Sequence, residues 1–172
     1  MSLETFKPMG TIQKFCGERG DPLMHPEIEK FFDQCSTIEV HTNGGLRETD
    51  WYAEMMQKYN IQFHFGIDGI GRDKYRIGVD NKKAIQNMVH CSKYGFTVWE
   101  FTLFKWNYKL IPEVMWKAFE NRNLKVNFRQ NSHFTEDLPY GIIKNLIYEN
   151  RIEKDYPWKY YHKSPKIKFD VP

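Results

Sequence analysis

The segment IQFHFGIDG, residues 61–69, alternates apolar and polar side chains along its length. Successive side chains of a β-strand point to opposite faces, so this alternation predicts a strand with two unlike faces. Its apolar face would carry Phe63, Phe65 and Ile67, and its polar face Gln62, His64, Gly66 and Asp68. We expect the apolar face in the core and the polar face against water or a ligand.

Predicted strands and helices alternate through the first 130 residues. The strands cover residues 12–16, 37–42, 61–67, 97–104 and 125–129, and the helices cover 26–35, 48–59, 81–94 and 111–121. This order indicates βαβ units and a mainly parallel sheet, because parallel strands need a crossover between them. Thr49 or Asp50 is predicted to cap the second helix, and Asp80 the third. A fifth helix is predicted at residues 140–150, followed by an irregular, aromatic and basic tail.

Polar residues also occupy one face of the neighbouring predicted strands. They are Glu39, His41 and Asn43 in the second strand, Glu100 and Thr102 in the fourth, and Asn127 and Arg129 in the fifth. Parallel strands that are covered by helices on both faces usually carry apolar residues throughout. One polar face therefore predicts a curved sheet around a polar cavity. A flat sheet with one solvated face is the simpler alternative.

Composition limits the class of protein. The 172 residues are 41% hydrophobic and 27% charged, which is typical of a globular domain, and the net charge of +3 is too small to argue for a nucleic-acid partner. The sequence has neither a signal peptide nor an apolar run near the length of about 18 residues that spans a membrane, so a cytoplasmic location is expected. Cys16, Cys35 and Cys91 are scattered singly, which predicts reduced thiols without metal-ligand spacing.

Three motifs follow one another at the ends of the first three predicted strands. They are GERGDPLMHPEI (residues 17–28), VHTNGG (40–45) and FGIDGIGRDKYRIG (65–78). Together they resemble the radical S-adenosylmethionine (SAM) enzymes, particularly the branch with a cysteine-rich C-terminal extension. The resemblance covers residues 11–130. It implies that residues 1–130 form a partial (β/α)6 barrel of about five parallel strands without the first βα unit, and that residues 131–172 pack on this barrel.

The resemblance also implies a SAM site at the carboxyl ends of the strands. Its residues would be Gly17, Gly20, Asp21, Pro22, Thr42, Asn43, Gly66, Asp68 and Glu100. The Gly20-Asp21-Pro22 loop would hold the amino group of SAM, because glycine permits close backbone approach and a carboxylate suits an ammonium. Residues expected to contact either SAM or the substrate are His41, His64, Arg76 and Arg129. The catalytic residues and the substrate, a small molecule or a peptide, stay unspecified.

Each motif taken alone also fits a purely structural role. Asp21-Pro22 can start a helix, and Asn43-Gly44 and Asp68-Gly69 can each form a turn. Arg76 can form a surface ion pair. The case for a binding site therefore rests on the joint order of the motifs.

The family's Cys-x3-Cys-x2-Cys loop, which binds a [4Fe–4S] cluster, is absent from this sequence, and so is the cysteine-rich extension. The complete enzyme that the resemblance implies would reductively cleave SAM to a 5′-deoxyadenosyl radical and abstract a substrate hydrogen. We expect this chain to be a fragment or a split part of such an enzyme. It would be inactive alone and would need a partner chain that supplies the cluster-binding unit.

Two other classes of protein fit the sequence. A noncatalytic binding or scaffold protein could have descended from the same fold and could use the aromatic tail for its contacts. A metal-dependent hydrolase could hold a divalent ion between side chains that share the polar face, namely His41, His64, Asp68 and Glu100.

Overall fold

The structure is a computed structural model that describes residues 4–8, 10–17, 20–71, 78–130, 138–149 and 158–161. Its strands are β1 (Gln13–Phe15), β2 (Ile38–Thr42), β3 (Ile61–Gly66), β4 (Thr97–Leu103), β5 (Leu124–Gln130) and β6 (Trp158–Tyr161). Its α-helices are α1 (Ile28–Phe32), α2 (Thr49–Lys58), α3 (Asn81–Cys91), α4 (Ile111–Phe119) and α5 (Tyr140–Glu149). Among these described helices, none has both the length and the apolar character that a membrane span requires.

The strands form one parallel sheet whose spatial order equals their order in the sequence, β1-β2-β3-β4-β5-β6. Crossovers between neighbouring parallel strands are right-handed, so a sheet wound in one direction has its helices on one face. The opposite face is then left for polar side chains and a ligand. The predicted parallel α/β architecture is confirmed, with β1 and β6 as the two ends of the described sheet.

The core lies between the sheet and the helices, and aromatic rings dominate it. Phe63 and Phe65 of β3 are fully buried, as are Trp99 and Phe101 of β4. Tyr52 of α2 meets the Phe63 ring edge-on, with centroids 5.3 Å apart. Burial of one such ring stabilises the fold by about 1.5–3 kcal/mol, so the apolar face of β3 and β4 fixes which way the sheet faces. The face predicted from the alternation of residues 61–69 is confirmed.

The five predicted strands and five predicted helices are present, with ends that differ by a few residues. Strand β6 was not predicted; it lies in the tail and pairs in parallel with β5, in the register Phe128↔Tyr160. The cap on α3 is confirmed, because Asp80 Oδ1 accepts hydrogen bonds from the backbone N–H groups of Lys82 and Lys83.

The predicted cap on α2 is wrong. Glu48 is the residue at the N-cap position, and no side chain caps this helix end. Thr49 Oγ1 donates instead to Asn87 Oδ1 of α3, at 2.7 Å. The Thr49 hydroxyl therefore joins α2 to α3, a tertiary contact that local sequence signals do not contain.

Candidate functional site

A cavity of about 430 Å³ lies on the polar face of the sheet, at the carboxyl ends of the strands. It is lined by Cys16, Gly17, Gly20, Asp21, His41, Thr42, Asn43, His64, Gly66, Val79, Glu100, Thr102 and Arg129. Ligand pockets in proteins typically measure about 300–1,000 Å³, so this volume suits a small molecule. Its position is the one at which open α/β sheets bind ligands.

Asp21 connects the loop after β1 to the end of β2. Its Oδ1 accepts a hydrogen bond from the Leu23 N–H at 2.9 Å, which opens the short 3-10 helix Pro22–Met24. Its Oδ2 accepts from Thr42 Oγ1 at 2.7 Å and from the Asn43 N–H at 2.6 Å. A carboxylate bonded at both oxygens holds the two loops together beside the cavity. Asp21 thus caps the start of this 3-10 helix and also lines the cavity.

A tight turn after β2 presents the next cavity residues. Thr42 Oγ1 accepts from the Gly44 N–H at 3.0 Å, and Asn43 Oδ1 accepts from the Gly45 N–H at 2.9 Å. Gly44 has a φ of +80°, and a Cβ on it would lie 2.6 Å from Cδ1 of Phe65. The turn therefore requires glycine both for its backbone conformation and for its close contact with β3.

Two buried asparagines support the loops at this end of the sheet, and sequence reasoning missed both. Asn87 Nδ2 donates to the Gly44 carbonyl at 2.8 Å. Asn107 Nδ2 donates to the carbonyls of Asp68 and Thr102, at 2.8 and 2.7 Å. Both asparagines are fully buried. Buried amides that bond loop carbonyls hold irregular backbone in place, but the sequence contains no signal for their distant partners.

Glu100 of β4 is the centre of a buried polar network beneath the cavity. Its Oε1 accepts hydrogen bonds from His64 Nδ1 at 2.8 Å and from Asn127 Nδ2 at 3.0 Å. Its Oε2 has no hydrogen bond within the described residues, and Arg129 Nε lies 2.5 Å from it as an ion pair. Burial alone would raise the pKa of Glu100, but the His64 and Asn127 hydrogen bonds and the Arg129 charge hold that pKa below its usual value. Glu100 is therefore ionised at neutral pH.

A second cluster lies beside this network on β2 and β3. Glu39 Oε1 lies 2.5 Å from His41 Nε2 and 3.6 Å from His64 Nε2. Lys14 Nζ pairs with the same Glu39 oxygen at 2.7 Å. The two imidazole rings stack with centroids 4.4 Å apart. Burial lowers the pKa of His41, and this outweighs the opposing effect of Glu39.

All but three of the predicted site residues line the cavity. Asp68 does not: it is fully buried, and its Oδ1 accepts a hydrogen bond from the Thr102 N–H at 2.8 Å. The prediction that Asp68 faces the cleft is therefore wrong, because its carboxylate joins the end of β3 to β4. Pro22 lies at a smaller neighbouring cavity of about 220 Å³. Arg76 lies outside the described residues. SAM binding by the lining residues stays a prediction.

The structure also changes the predicted metal ligands. Of the four proposed residues, Asp68 accepts a hydrogen bond from the Thr102 N–H. Glu100 contacts Nδ1 of His64, whereas Nε2 of the same ring lies near Glu39. The third group beside His41 and His64 is Glu39. Its place on the polar face of β2 was predicted, but its position next to a histidine of another strand was not.

The three cysteines do not fit an iron–sulfur cluster. Cys16 is exposed at the cavity, whereas the Cys35 thiol donates to the Phe31 carbonyl at 3.2 Å. Cys91 is buried on α3, with its Sγ 2.9 Å from Sδ of Met56. Burial raises the pKa of Cys35 and raises that of Cys91 to about 12, which disfavours the thiolates that ligate iron. These residues provide no ligand set for a [4Fe–4S] cluster.

The sequence matches no protein-family model and no curated protein. Among solved structures, that of Streptococcus suis SuiB matches with a TM-score of 0.67 and 13% identity, over 84% of this chain and 38% of SuiB. SuiB bound to S-adenosylmethionine matches with a TM-score of 0.67 and 13% identity, over 87% and 41% of the two chains. SuiB bound to its precursor peptide SuiA matches with 0.66 and 13%, over 83% and 37%. The likeness establishes a shared fold, and this chain spans about two fifths of the length of SuiB.

Proposed function

We propose that this chain is part of a radical SAM enzyme and that its 430 Å³ cavity binds SAM. The observation that carries the proposal is the convergence of three sequence motifs on one cavity. Loop residues Gly20 and Asp21, strand-end residues Thr42 and Asn43, and Gly66 of the third motif all line it. The fold is shared with SuiB, which has been solved with S-adenosylmethionine, and this likeness supports the same ligand here.

The cavity has the charges that SAM requires. SAM carries a positive ammonium and a positive sulfonium, and the carboxylates of Asp21 and Glu100 line the cavity. Arg129 lines it as well and offers a cation to the carboxylate of SAM. Gly20 leaves room for a ligand to approach the backbone, because among the described residues a Cβ on it would meet only Sδ of Met24, at 3.6 Å. In this proposal the chain binds and orients SAM.

The reductive cleavage of SAM is no part of what this chain does alone, because its cysteines provide no cluster site. The proposal therefore includes a partner chain that carries the cluster-binding βα unit and docks along β1. Within the described residues β1 pairs with β2 only, so its other edge is open to another strand. Cys16 and the cavity loop begin directly after β1, so a strand added there would place its own loop beside the cavity.

A peptide is the proposed substrate class. SuiB has been solved with its precursor peptide SuiA, and the sheet of this chain has the same fold. The cavity opens at the ends of the strands, where an extended segment could place one side chain against His41 and Arg129.

A noncatalytic binding protein of the same fold is the second candidate, favoured by the missing cluster ligands. A SAM titration distinguishes the two candidate functions if the noncatalytic protein no longer binds SAM.

Calorimetric titration with SAM in the presence of a chelator tests the proposal. We expect weak binding to the isolated chain, and binding at least about tenfold weaker in Glu100→Gln, since one carboxylate near the cationic ligand is lost. Glu113→Gln, at an exposed position of α4, is the matched control and should bind like the unaltered chain. No binding in the millimolar range, or equal binding by Glu100→Gln, would contradict the proposed site.

A further inference from the structure

Three potential metal ligands converge on the polar face of the sheet, and two of them, His41 and His64, line the same cavity as Asp21. One potential ligand atom from each of Glu39, His41 and His64 lies within 4.8 Å of the other two. Glu39 Oε1 is 2.5 Å from His41 Nε2 and 3.6 Å from His64 Nε2. We propose that these side chains bind one divalent metal ion, and that zinc is the ion their chemistry favours. Two imidazoles and one carboxylate form a ligand set of zinc sites that keep a fourth position open for water. This inference goes beyond SAM binding and does not depend on it.

The sheet register brings the ligands together. His41 of β2 and His64 of β3 are register partners, so their side chains project side by side from the same face. Glu39 lies two residues before His41 and therefore shares that face. The ligands come from adjacent strands rather than from a loop, so their backbone positions are well defined.

Two distances between the proposed ligand atoms can be compared with those around a zinc ion. With bonds of about 2.0–2.1 Å and tetrahedral angles, two zinc ligands lie about 3.3 Å apart. Glu39 Oε1 and His64 Nε2 are already 3.6 Å apart. Glu39 Oε1 and His41 Nε2 are 2.5 Å apart and must separate, which rotation of the Glu39 side chain provides. The metal would then replace the hydrogen bond between these two groups.

An independent contact orients His64 for metal binding. Its Nδ1 lies 2.8 Å from Oε1 of buried Glu100, and Asn127 and Arg129 in turn hold Glu100. Zinc-binding histidines commonly donate their second ring N–H to a carboxylate in this way, which fixes the ring and the tautomer. When Nδ1 donates to Glu100, neutral His64 directs the lone pair of Nε2 toward the proposed ion.

The surroundings of His64 Nε2 also favour a cation. Gln62 Oε1 lies 3.2 Å from this nitrogen, and Glu39 Oε1 lies 3.6 Å from it. Two side-chain oxygens therefore border the same space as this nitrogen, and oxygen atoms are suitable partners for a cation. Lys14 Nζ, 2.7 Å from Glu39, supplies part of that charge from outside. Its side chain is 53% exposed and can move into solvent when a metal binds.

Competition titration of the metal-stripped chain with zinc, in the absence of SAM, tests the site. We expect one zinc per chain, at least about 100-fold weaker binding in the double variant His41→Ala/His64→Ala, and about 10–100-fold weaker binding in Glu100→Gln. Lys14→Met should bind zinc more tightly, because the competing ammonium is gone. His90→Ala on α3 is the control and should bind like the unaltered chain.

Two results would overturn the zinc site. One is that the unaltered chain binds zinc no more tightly than the folded double variant, with folding checked by circular dichroism. The other is an X-ray absorption spectrum of the zinc-loaded unaltered chain without two imidazole ligands, a measurement that needs no variant to fold. These experiments contain no SAM, so their outcomes do not depend on whether the chain binds SAM. Zinc binding in turn does not decide the SAM proposal, which the SAM titration tests.

Discussion

His64 Nδ1 lies 2.8 Å from Glu100 Oε1, and this contact joins β3 to β4 beneath the cavity. The network continues through Glu39 and Lys14 to β1 on one side, and through Arg129 to β5 on the other. Buried polar groups cost free energy unless they have partners, and here each charge lies against another. The polar face of the sheet is thus organised around charges rather than filled with apolar side chains.

Truncation of Glu100 should destabilise the fold. Glu100→Ala leaves His64 and Asn127 without their acceptor and leaves Arg129 without its carboxylate. Loss of a partner from a buried polar group costs about 1–3 kcal/mol, so we expect a decrease of at least that size in the free energy of unfolding. Urea denaturation measures it. Glu113→Ala on the surface should change stability by less than about 0.5 kcal/mol, and an equal effect of both variants would argue against the network.

Gly44 should tolerate a side chain less well than Gly78. Both have positive φ, +80° and +84°, so alanine strains the backbone at either position by about 1–2 kcal/mol. A Cβ at Gly44 would also lie 2.6 Å from the Phe65 ring, whereas a Cβ at Gly78 would meet no atom of the described residues within 4 Å. Urea denaturation should show a larger loss for Gly44→Ala, by about 1–3 kcal/mol. Equal losses would mean that the turn does not lie against Phe65.

Stability should decrease on the acid side in two steps. Burial lowers the pKa of His41 in the folded protein, so the unfolded chain takes up its proton first and stability decreases as the pH falls below about 6.5. The pKa values of Glu39 and Glu100 are also below their usual values, so the stability they contribute is lost when the pH falls further, below about 4.3. Urea denaturation between pH 8 and pH 2 checks both steps.

His41→Gln is the control for the first step, since it removes the titrating ring and should leave the decrease below about pH 4.3 in place. If the stability of His41→Gln decreases between pH 7 and pH 5 as much as that of the unaltered chain, His41 does not cause that step.

Anaerobic reconstitution with iron and sulfide should leave this chain without a cluster. Cys35 contacts a helix carbonyl and Cys91 is buried against Met56, so neither is placed to share a cluster with Cys16. Visible absorption after desalting is the measurement, with the triple variant Cys16→Ser/Cys35→Ser/Cys91→Ser as the baseline. A stable cluster in the unaltered chain alone would contradict the need for a partner.

Local pattern was enough to predict the main features of the fold. The alternation of Phe63 and Phe65 with His64 depends only on strand geometry and on apolar burial, and the structure bears it out. Most cavity residues were predicted because three motifs of the sequence resemble those of the radical SAM enzymes, and strand geometry explains why these motifs converge. Parallel strands end at the same edge of a sheet, so motifs at successive strand ends must lie near one another.

What could not be predicted depends on pairing between distant segments. The side chain of Asp68 follows a strand like those of the cavity residues, but a backbone N–H of β4 binds it. Glu39 was predicted on the polar face, yet its proximity to His64 requires the β2–β3 register. Strand β6 is four residues long and lacks an alternating pattern, and it is defined by its pairing with β5.

Amide chemical-shift mapping of the ¹⁵N-labelled chain, during titration with SAM in the presence of a chelator, tests the proposed SAM site most directly. We expect the shifts to concentrate at the cavity residues Gly17, Gly20, Asn43 and Gly66, and to saturate in the millimolar range. S-adenosylhomocysteine, which lacks the sulfonium charge, should bind more weakly, because the cavity presents carboxylates to that charge. Shifts confined to other surfaces, or no shifts with several millimolar SAM, would contradict a SAM site in this cavity.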